Sequence, residues 1–213
     1  MKATRFVRFP TPILTLALGL ALTTSLGASP LTFDFKDPKG VNNVSFSLDA
    51  PLEAINGSAN GISGKVTFDP DNPAATKGRI VVETGSMHVP NPMMKGHMLG
   101  KQWMDAEGHP EIVFEVVRLK SVSTEGNGIR AEAVGRIKLK GVEKEITVPV
   151  TLTYLANKLA DRTNGAMQGD LLVIRAKFSV KRADYGINPG APADKVADTV
   201  ELKLAIAGAA ARS

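Results

Sequence analysis

Hydrophobic and polar residues alternate along most of the chain between about residues 41 and 207. Alternation with a period of two is typical of β-strands that bury one face. The pattern predicts about eight strands, many of them long and separated by turns rich in Gly, Pro and Asn. Their apolar positions lie near 44–48, 66–68, 80–82, 112–116, 129–139, 146–154, 172–180 and 200–206.

Two segments interrupt this alternation. Between Pro90 and Glu107 the period is lost, and the Asn91-Pro92 pair is typical of a helix start, so we predict a short helix over residues 92–101. The stretch 157–169 is polar and contains glycine, which predicts a loop between the sixth and seventh strands. No change in composition divides the rest of the chain, so we expect one domain over residues 29–213.

Eight long antiparallel strands are well suited to closing into a barrel, because closure leaves no exposed sheet edge. A barrel of this size has room inside for packed side chains or for one small ligand. The face predicted to point inward is apolar and rarely charged. The sequence therefore predicts an all-β, eight-stranded antiparallel barrel that would hold an apolar ligand if it is hollow.

The first 28 residues have the features of an export signal. Lys2, Arg5 and Arg8 precede a short apolar run at 13–22, and small residues follow up to Ala28. The apolar run is about half of the ~20 residues that a membrane-spanning helix requires. We therefore expect a cleaved signal peptide over residues 1–28 and a periplasmic or secreted protein.

The signal changes how the charge of the chain is interpreted. The sequence holds 26 basic and 21 acidic residues, a net charge of +5. Removing residues 1–28 takes away three basic residues and no acidic ones, so the net charge falls to +2. This near balance leaves little support for a nucleic-acid partner.

Several chemistries find no support in the sequence. The chain has no cysteine, which excludes disulfides, thiolate metal sites and thiol nucleophiles. His88, His97 and His109 lack the spacing of a zinc hydrolase, and there is no serine-hydrolase or phosphate-loop motif. We expect no catalysis, no cofactor and no metal requirement.

Five segments follow one another along the chain as a set of motifs. They are 62–70 (ISGKVTFDP), 103–114 (WMDAEGHPEIVF), 135–148 (GRIKLKGVEKEITV), 180–187 (VKRADYGI) and 196–200 (VADTV). Each motif alone would be weak, but in this order they resemble the YceI-like family of lipid- and polyisoprenoid-binding periplasmic proteins. The resemblance extends from about residue 41 to 207.

The resemblance implies an elongated, lipocalin-like barrel that encloses an amphiphile with a long apolar chain. The implied activity is binding, and possible carriage, of a lipid such as a polyisoprenoid. Membrane contact would serve ligand exchange only, and the family suggests a homodimer. With the alternation, the resemblance selects the following candidate ligand-binding residues: Phe46, Leu48, Phe68, Val82, Met94, Met98, Trp103, Phe114, Leu152, Phe178 and Arg182.

The alternatives to ligand binding concern the same residues. The apolar side chains could instead fill a solid core, which would make the protein a structural or interaction domain. Arg182 could hold a phosphate or carboxylate headgroup, or it could form a structural corner with Asp184 or Asp198.

Methionines are concentrated in one segment of the chain. Five of the seven lie between Met87 and Met104, and Met94 and Met98 would share one face of the predicted helix. Met is flexible and polarizable, so these side chains would suit a pliable lid over an apolar chain. Alternatively, the thioethers with His88 and His97 could bind Cu(I) in a metal- or stress-related protein.

Overall fold

The computed structural model describes residues 29–212, and the alternating segments form β-strands. The strands are β1 (Leu31–Asp34), β2 (Asn43–Asp49), β3 (Ala54–Ala59), β4 (Ile62–Phe68), β5 (Lys77–Glu83), β6 (Met87–His88), β7 (Glu111–Glu125), β8 (Gly128–Leu139), β9 (Val142–Leu155), β10 (Gly169–Lys181) and β11 (Thr199–Ala211). The helices are α1 (Pro92–Leu99) and α2 (Leu159–Arg162). The predicted signal peptide at 1–28 lies outside the described residues. Within residues 29–212, neither helix is long and apolar enough to cross a bilayer.

The strands form a closed antiparallel barrel. Its ring runs β1, β4, β5, β7, β8, β9, β10, β11, and the pairing of β11 with β1 closes it. This confirms the predicted eight-stranded barrel. A tight turn at Gly126 and Asn127 joins β7 to β8.

At three positions in the barrel wall, two strands that follow each other in the chain lie end to end: β1 and β2, β3 and β4, and β5 and β6. Strand β11 pairs with β1 at one end of the barrel and with β2 at the other. In the same way, β4 pairs with β1 while β3 pairs with β2. Strand β5 then pairs with β4 while β6 pairs with β3. Between the two strands of each position the chain bends, and the second strand continues the wall.

The alternation pattern missed three strands, each for a local reason. Strands β1 and β6 have only four and two residues, too few for a period to be visible. Strand β3 contains few apolar residues because Gly57 pairs with Phe46, and a Cβ atom there would lie 2.2 Å from the Phe46 ring. The large Phe46 side chain fills the space that a β3 side chain would otherwise take.

Helix α1 begins at the predicted position and ends at Leu99, two residues earlier than predicted. The Asn91 side chain accepts hydrogen bonds from the backbone N–H groups of Met93 (2.9 Å) and Met94 (3.2 Å), which satisfies two free donors at the helix start. Pro92 needs no such partner because it has no N–H.

The prediction that 157–169 is entirely a loop was wrong, because α2 forms within it. Leu159 at the start of this one-turn helix is fully buried. The Thr163 hydroxyl donates to the Leu159 carbonyl at 2.9 Å. Four residues are too few to show a helical period, so the sequence pattern did not predict that Leu159 is buried.

Aromatic side chains close the barrel at the end where β1 lies. The ring centroids of Phe33 and Phe68 are 6.3 Å apart, and Tyr154 lies 6.3 Å from the first and 5.8 Å from the second. Edge-to-face contacts of this kind stabilise aromatic clusters. Phe68 is 0% exposed, so this end of the interior is filled.

The interruption between β1 and β2 depends on one buried amide. Asn42 is 2% exposed, and its Nδ2 donates to the carbonyls of Phe35 (3.0 Å) and Ala207 (3.1 Å). Its Oδ1 accepts the N–H of Ala207 at 2.8 Å. The side chain thus replaces the strand pairing that β11 loses where the chain leaves the sheet.

We predict that Asn42→Ala lowers the free energy of unfolding by about 2–4 kcal/mol, because it leaves buried backbone groups of Phe35 and Ala207 without partners. Urea denaturation measures the change. The matched control is Asn43→Ala, which removes only an exposed bond to the Val41 carbonyl and should cost less than about 1 kcal/mol. Equal effects of the two substitutions would contradict the role of Asn42.

A buried carboxylate ties the C-terminal strand to the closed end. Asp170 is 1% exposed; it accepts hydrogen bonds from the Tyr154 hydroxyl (2.9 Å) and the Asn157 N–H (2.8 Å), and Arg212 donates to both its oxygens (2.7 and 3.0 Å). Burial raises the pKa of this carboxyl, but these hydrogen bonds and the Arg212 charge outweigh burial and lower the pKa below 3.8.

A lowered pKa in the folded state means that Asp170 stabilises the fold above about pH 4 and that this contribution is lost as the pH falls through the folded-state pKa. We predict that Asp170→Asn costs about 1–3 kcal/mol near pH 7 and that the difference from the parent shrinks in acid. Denaturation across a pH series checks this. Asp161→Asn, which removes an exposed pair with Lys158, is the control. A difference that does not vary with pH would contradict the assignment.

Candidate functional site

The barrel is hollow between its two groups of buried apolar side chains. The cavity has a volume of about 340 Å³, within the range of sites that bind small molecules. Its lining comes from strands all round the wall and from α1, and it is apolar except for Glu53, Thr76, His97 and Arg182. The Thr76 hydroxyl already donates to the Pro73 carbonyl at 2.6 Å, so it presents no free donor to the cavity.

Large inward-facing side chains do not meet across this space. Phe114, Val150, Phe178 and Leu204 all line the cavity, yet they are only half-buried although they lie inside the wall. Their remaining accessible surface faces the cavity. A packed core would have covered it, because protein interiors are normally close-packed.

The structure brings together ten of the eleven residues predicted from the sequence. The ten that line the cavity are Phe46, Leu48, Val82, Met94, Met98, Trp103, Phe114, Leu152, Phe178 and Arg182. Phe68 is the exception. It points inward as its position in the alternation requires, but it belongs to the aromatic cluster with Phe33 and Tyr154 that fills the closed end.

Many further lining residues were not among the candidates. Most of them are aliphatic and lie at alternate positions of the same strands, so the period-two pattern already marked their face. They include Val44, Val116, Val148, Val150, Ile174, Leu202 and Leu204. Glu53 and His97 were also missed, and nothing in the sequence places either polar side chain at an apolar cavity.

The cavity opens between α1 and the turn that joins β2 to β3. His97 on α1 and Glu53 in the turn both line the cavity while remaining exposed to solvent. On α1, Met94 and Met98 are one turn apart and both line the cavity, whereas Met93 points away and is 73% exposed. The helix thus presents one apolar face to the mouth.

Four of the five clustered methionines line this part of the cavity: Met87, Met94, Met98 and Met104. Their flexible thioethers provide a deformable apolar surface. In the part of the chain that the structure describes, no group of three or more His, Asp or Glu side chains is arranged to hold a metal ion. The Cu(I) alternative, which depends on sulfur ligands, stays a prediction.

Arg182 lies beneath the 183–198 loop at the mouth and is 3% exposed. Its Nε donates to the Ala197 carbonyl (2.8 Å), and its Nη1 donates to those of Ile187 and Asn188 (both 2.7 Å). Its Nη2 donates to the Val196 carbonyl at 3.1 Å. These bonds hold the loop against the barrel.

Burial and a nearby carboxylate act on the charge of Arg182 in opposite directions, and burial has the larger effect. Burial lowers the pKa of its guanidinium, and the charge of Asp198 opposes this effect. The guanidinium also lies 5.5 Å from the centre of the Trp103 ring, within the range of a cation–π contact. The predicted pairing with Asp184 is not formed, because Asp184 pairs with Lys144 at 3.3 Å. Arg182 forms a structural corner through backbone carbonyls.

A hollow antiparallel barrel with an open, apolar cavity has the architecture of barrels that bind ligands. Residues 36–207 match the YceI-like domain, and the chain belongs to that family. A UPF0312 protein of Yersinia pestis (strain Pestoides F) is 30% identical over 153 residues, which are 71% of this chain and 72% of the relative.

Two solved structures share the fold. BcnA of Burkholderia cenocepacia has a TM-score of 0.62 at 23% identity, covering 78% of this chain and 95% of its own. A polyisoprenoid-binding domain from Saccharophagus degradans, implicated in plant cell wall breakdown, has a TM-score of 0.62 at 12% identity. It covers 85% of this chain and 99% of its own.

The bonds of Arg182 lead to a prediction about the mouth. Arg182→Lys should lower the free energy of unfolding by roughly 2–4 kcal/mol, because an ammonium group cannot reach all four carbonyls. It should also speed amide hydrogen exchange in residues 186–197. Arg175→Lys, at an exposed position on β10, the strand that ends just before Arg182, is the control. Unchanged exchange in the loop would show that Arg182 does not hold it.

Proposed function

We propose that this protein binds one amphiphile and holds its long apolar chain in the barrel cavity, as a carrier or a store. The observation that carries the proposal is the open cavity of about 340 Å³ with an almost entirely apolar lining. The filled-core alternative is at odds with that space. The polyisoprenoid-binding domain of Saccharophagus degradans supports a prenyl chain as the ligand here.

Burial of the apolar chain would drive binding. Each CH₂ group removed from water contributes about 0.8 kcal/mol, so ten enclosed carbons contribute about 8 kcal/mol before the entropy cost of ordering the ligand. That gross value corresponds to a micromolar dissociation constant without any charged contact. The deformable methionine surface at the mouth would accept chains of different shape.

The proposed role is binding and not catalysis. The cavity lining supplies a single imidazole, His97, and a single carboxylate, Glu53, at a solvent-exposed mouth. An acid–base or nucleophilic mechanism would require such groups to be held in hydrogen-bonded geometry beside a reacting atom.

Export, membrane contact and dimerisation belong to the proposal as predictions from the sequence. A carrier of water-insoluble chains outside the cytoplasm would need a signal peptide such as residues 1–28. Membrane contact would be limited to ligand exchange through the open end. A homodimer would leave each cavity complete, because its lining comes from one chain.

We predict that Val150→Phe weakens geranylgeraniol binding by about tenfold or more, because the added ring occupies space that the chain needs. Val150 lines the cavity, and its partners on the neighbouring strands, Ala131 and Ala176, have small side chains. Trp103 is the one tryptophan in the sequence and lines the cavity, so its fluorescence reports binding.

The matched control is Thr151→Phe, the next position on β9, whose side chain does not line the cavity in the described structure. It should bind geranylgeraniol like the parent. Both variants should unfold at nearly the parent temperature. Unchanged affinity in a folded Val150→Phe protein would count against the cavity as the binding site.

A further inference from the structure

The cavity contains little that could hold an anionic headgroup. Its one arginine, Arg182, gives four N–H groups to four backbone carbonyls, and Asp198 supplies a nearby negative charge. Among residues 29–212, no lysine lines the cavity. Lys140 instead donates to the carbonyls of Gln102 (3.0 Å) and Gly186 (2.9 Å), and so joins two loops.

The free polar groups at the mouth are Glu53 and His97. Both line the cavity and are exposed, and within the described residues neither forms an ion pair or a side-chain hydrogen bond. Glu53 presents an unpaired carboxylate, which accepts hydrogen bonds and repels other anions. His97 presents an imidazole that can donate or accept a hydrogen bond.

We infer that the ligand carries an uncharged, hydrogen-bonding headgroup, such as a hydroxyl, and that phosphorylated or carboxylated chains are selected against. This inference rests on the proposed function and names the class of amphiphile. The apolar chain enters the barrel until its headgroup reaches the level of Glu53 and His97. There a hydroxyl can donate to the carboxylate, whereas a phosphate would meet a like charge, and the one guanidinium of the lining already donates to four backbone carbonyls.

The test compares two ligands with the same chain, geranylgeraniol and geranylgeranyl phosphate, each below its critical micelle concentration. The purified full chain is titrated while Trp103 fluorescence and displacement of the neutral probe N-phenylnaphthylamine are followed. We expect the alcohol to bind at least about tenfold more tightly than the phosphate, a difference of about 1.4 kcal/mol.

A variant identifies the source of the preference. Glu53→Gln removes the charge and leaves a weaker, neutral acceptor, so phosphate binding should improve by about threefold to tenfold while alcohol binding should weaken, and the preference for the alcohol should shrink or disappear. The matched control is Glu145→Gln on β9, an exposed glutamate away from the cavity, which should change neither affinity.

The outcomes separate this inference from the proposed function. Phosphate binding equal to or tighter than alcohol binding would overturn the inference and leave the proposed function standing. If the folded protein bound neither ligand, the proposed function would fail as well. An alcohol preference that Glu53→Gln leaves unchanged would contradict the role assigned to Glu53.

Discussion

Closure of the eight-stranded sheet is the constraint on which the rest of the structure depends. Once β11 pairs with β1, the circumference of the wall is fixed, and so is the space inside it. Side chains from opposite walls fill that space at the closed end, where Phe33, Phe68 and Tyr154 meet. Elsewhere valine, alanine and leucine leave a cavity, so the hollow interior follows from closure together with side-chain size.

Closure also requires the chain to leave the sheet at a few places, and each departure exposes backbone groups that need partners. Asn42 provides hydrogen-bond partners for such groups beside β11, and Asp170 binds Arg212 and so joins the end of β11 to the closed end of the barrel. Arg182 supplies them beneath the mouth loop. Because these polar residues bind protein groups, most of their hydrogen-bonding capacity is used within the fold.

The sequence allowed much of this to be predicted, because a period of two assigns each strand residue to a face. Phe46, Phe114 and Phe178 were placed on the inward face by that rule alone. The rule does not say how far along the barrel a residue lies, so Phe68 was expected in the cavity and lies in the closed end. The rule also did not predict β3, where Gly57 has no side chain and the Phe46 ring occupies the space beside it.

Polar residues were harder to predict for a different reason. The partners of Arg182 are carbonyls at 187–197, and only the path of the loop brings them around the guanidinium. Similarly, Glu53 and His97 come from a turn and a helix that are far apart in the sequence, and both line the cavity only once the barrel is closed. Such sites depend on contacts between distant segments, and no local pattern records them.

Mass spectrometry can show whether the closed barrel encloses an apolar chain. The protein is purified without detergent, weighed in its native state and then extracted with organic solvent. We expect an added mass of one ligand per chain, and an extract containing an amphiphile with a long apolar chain. A folded protein with no added mass, an empty extract and no uptake of a supplied prenyl alcohol would contradict it.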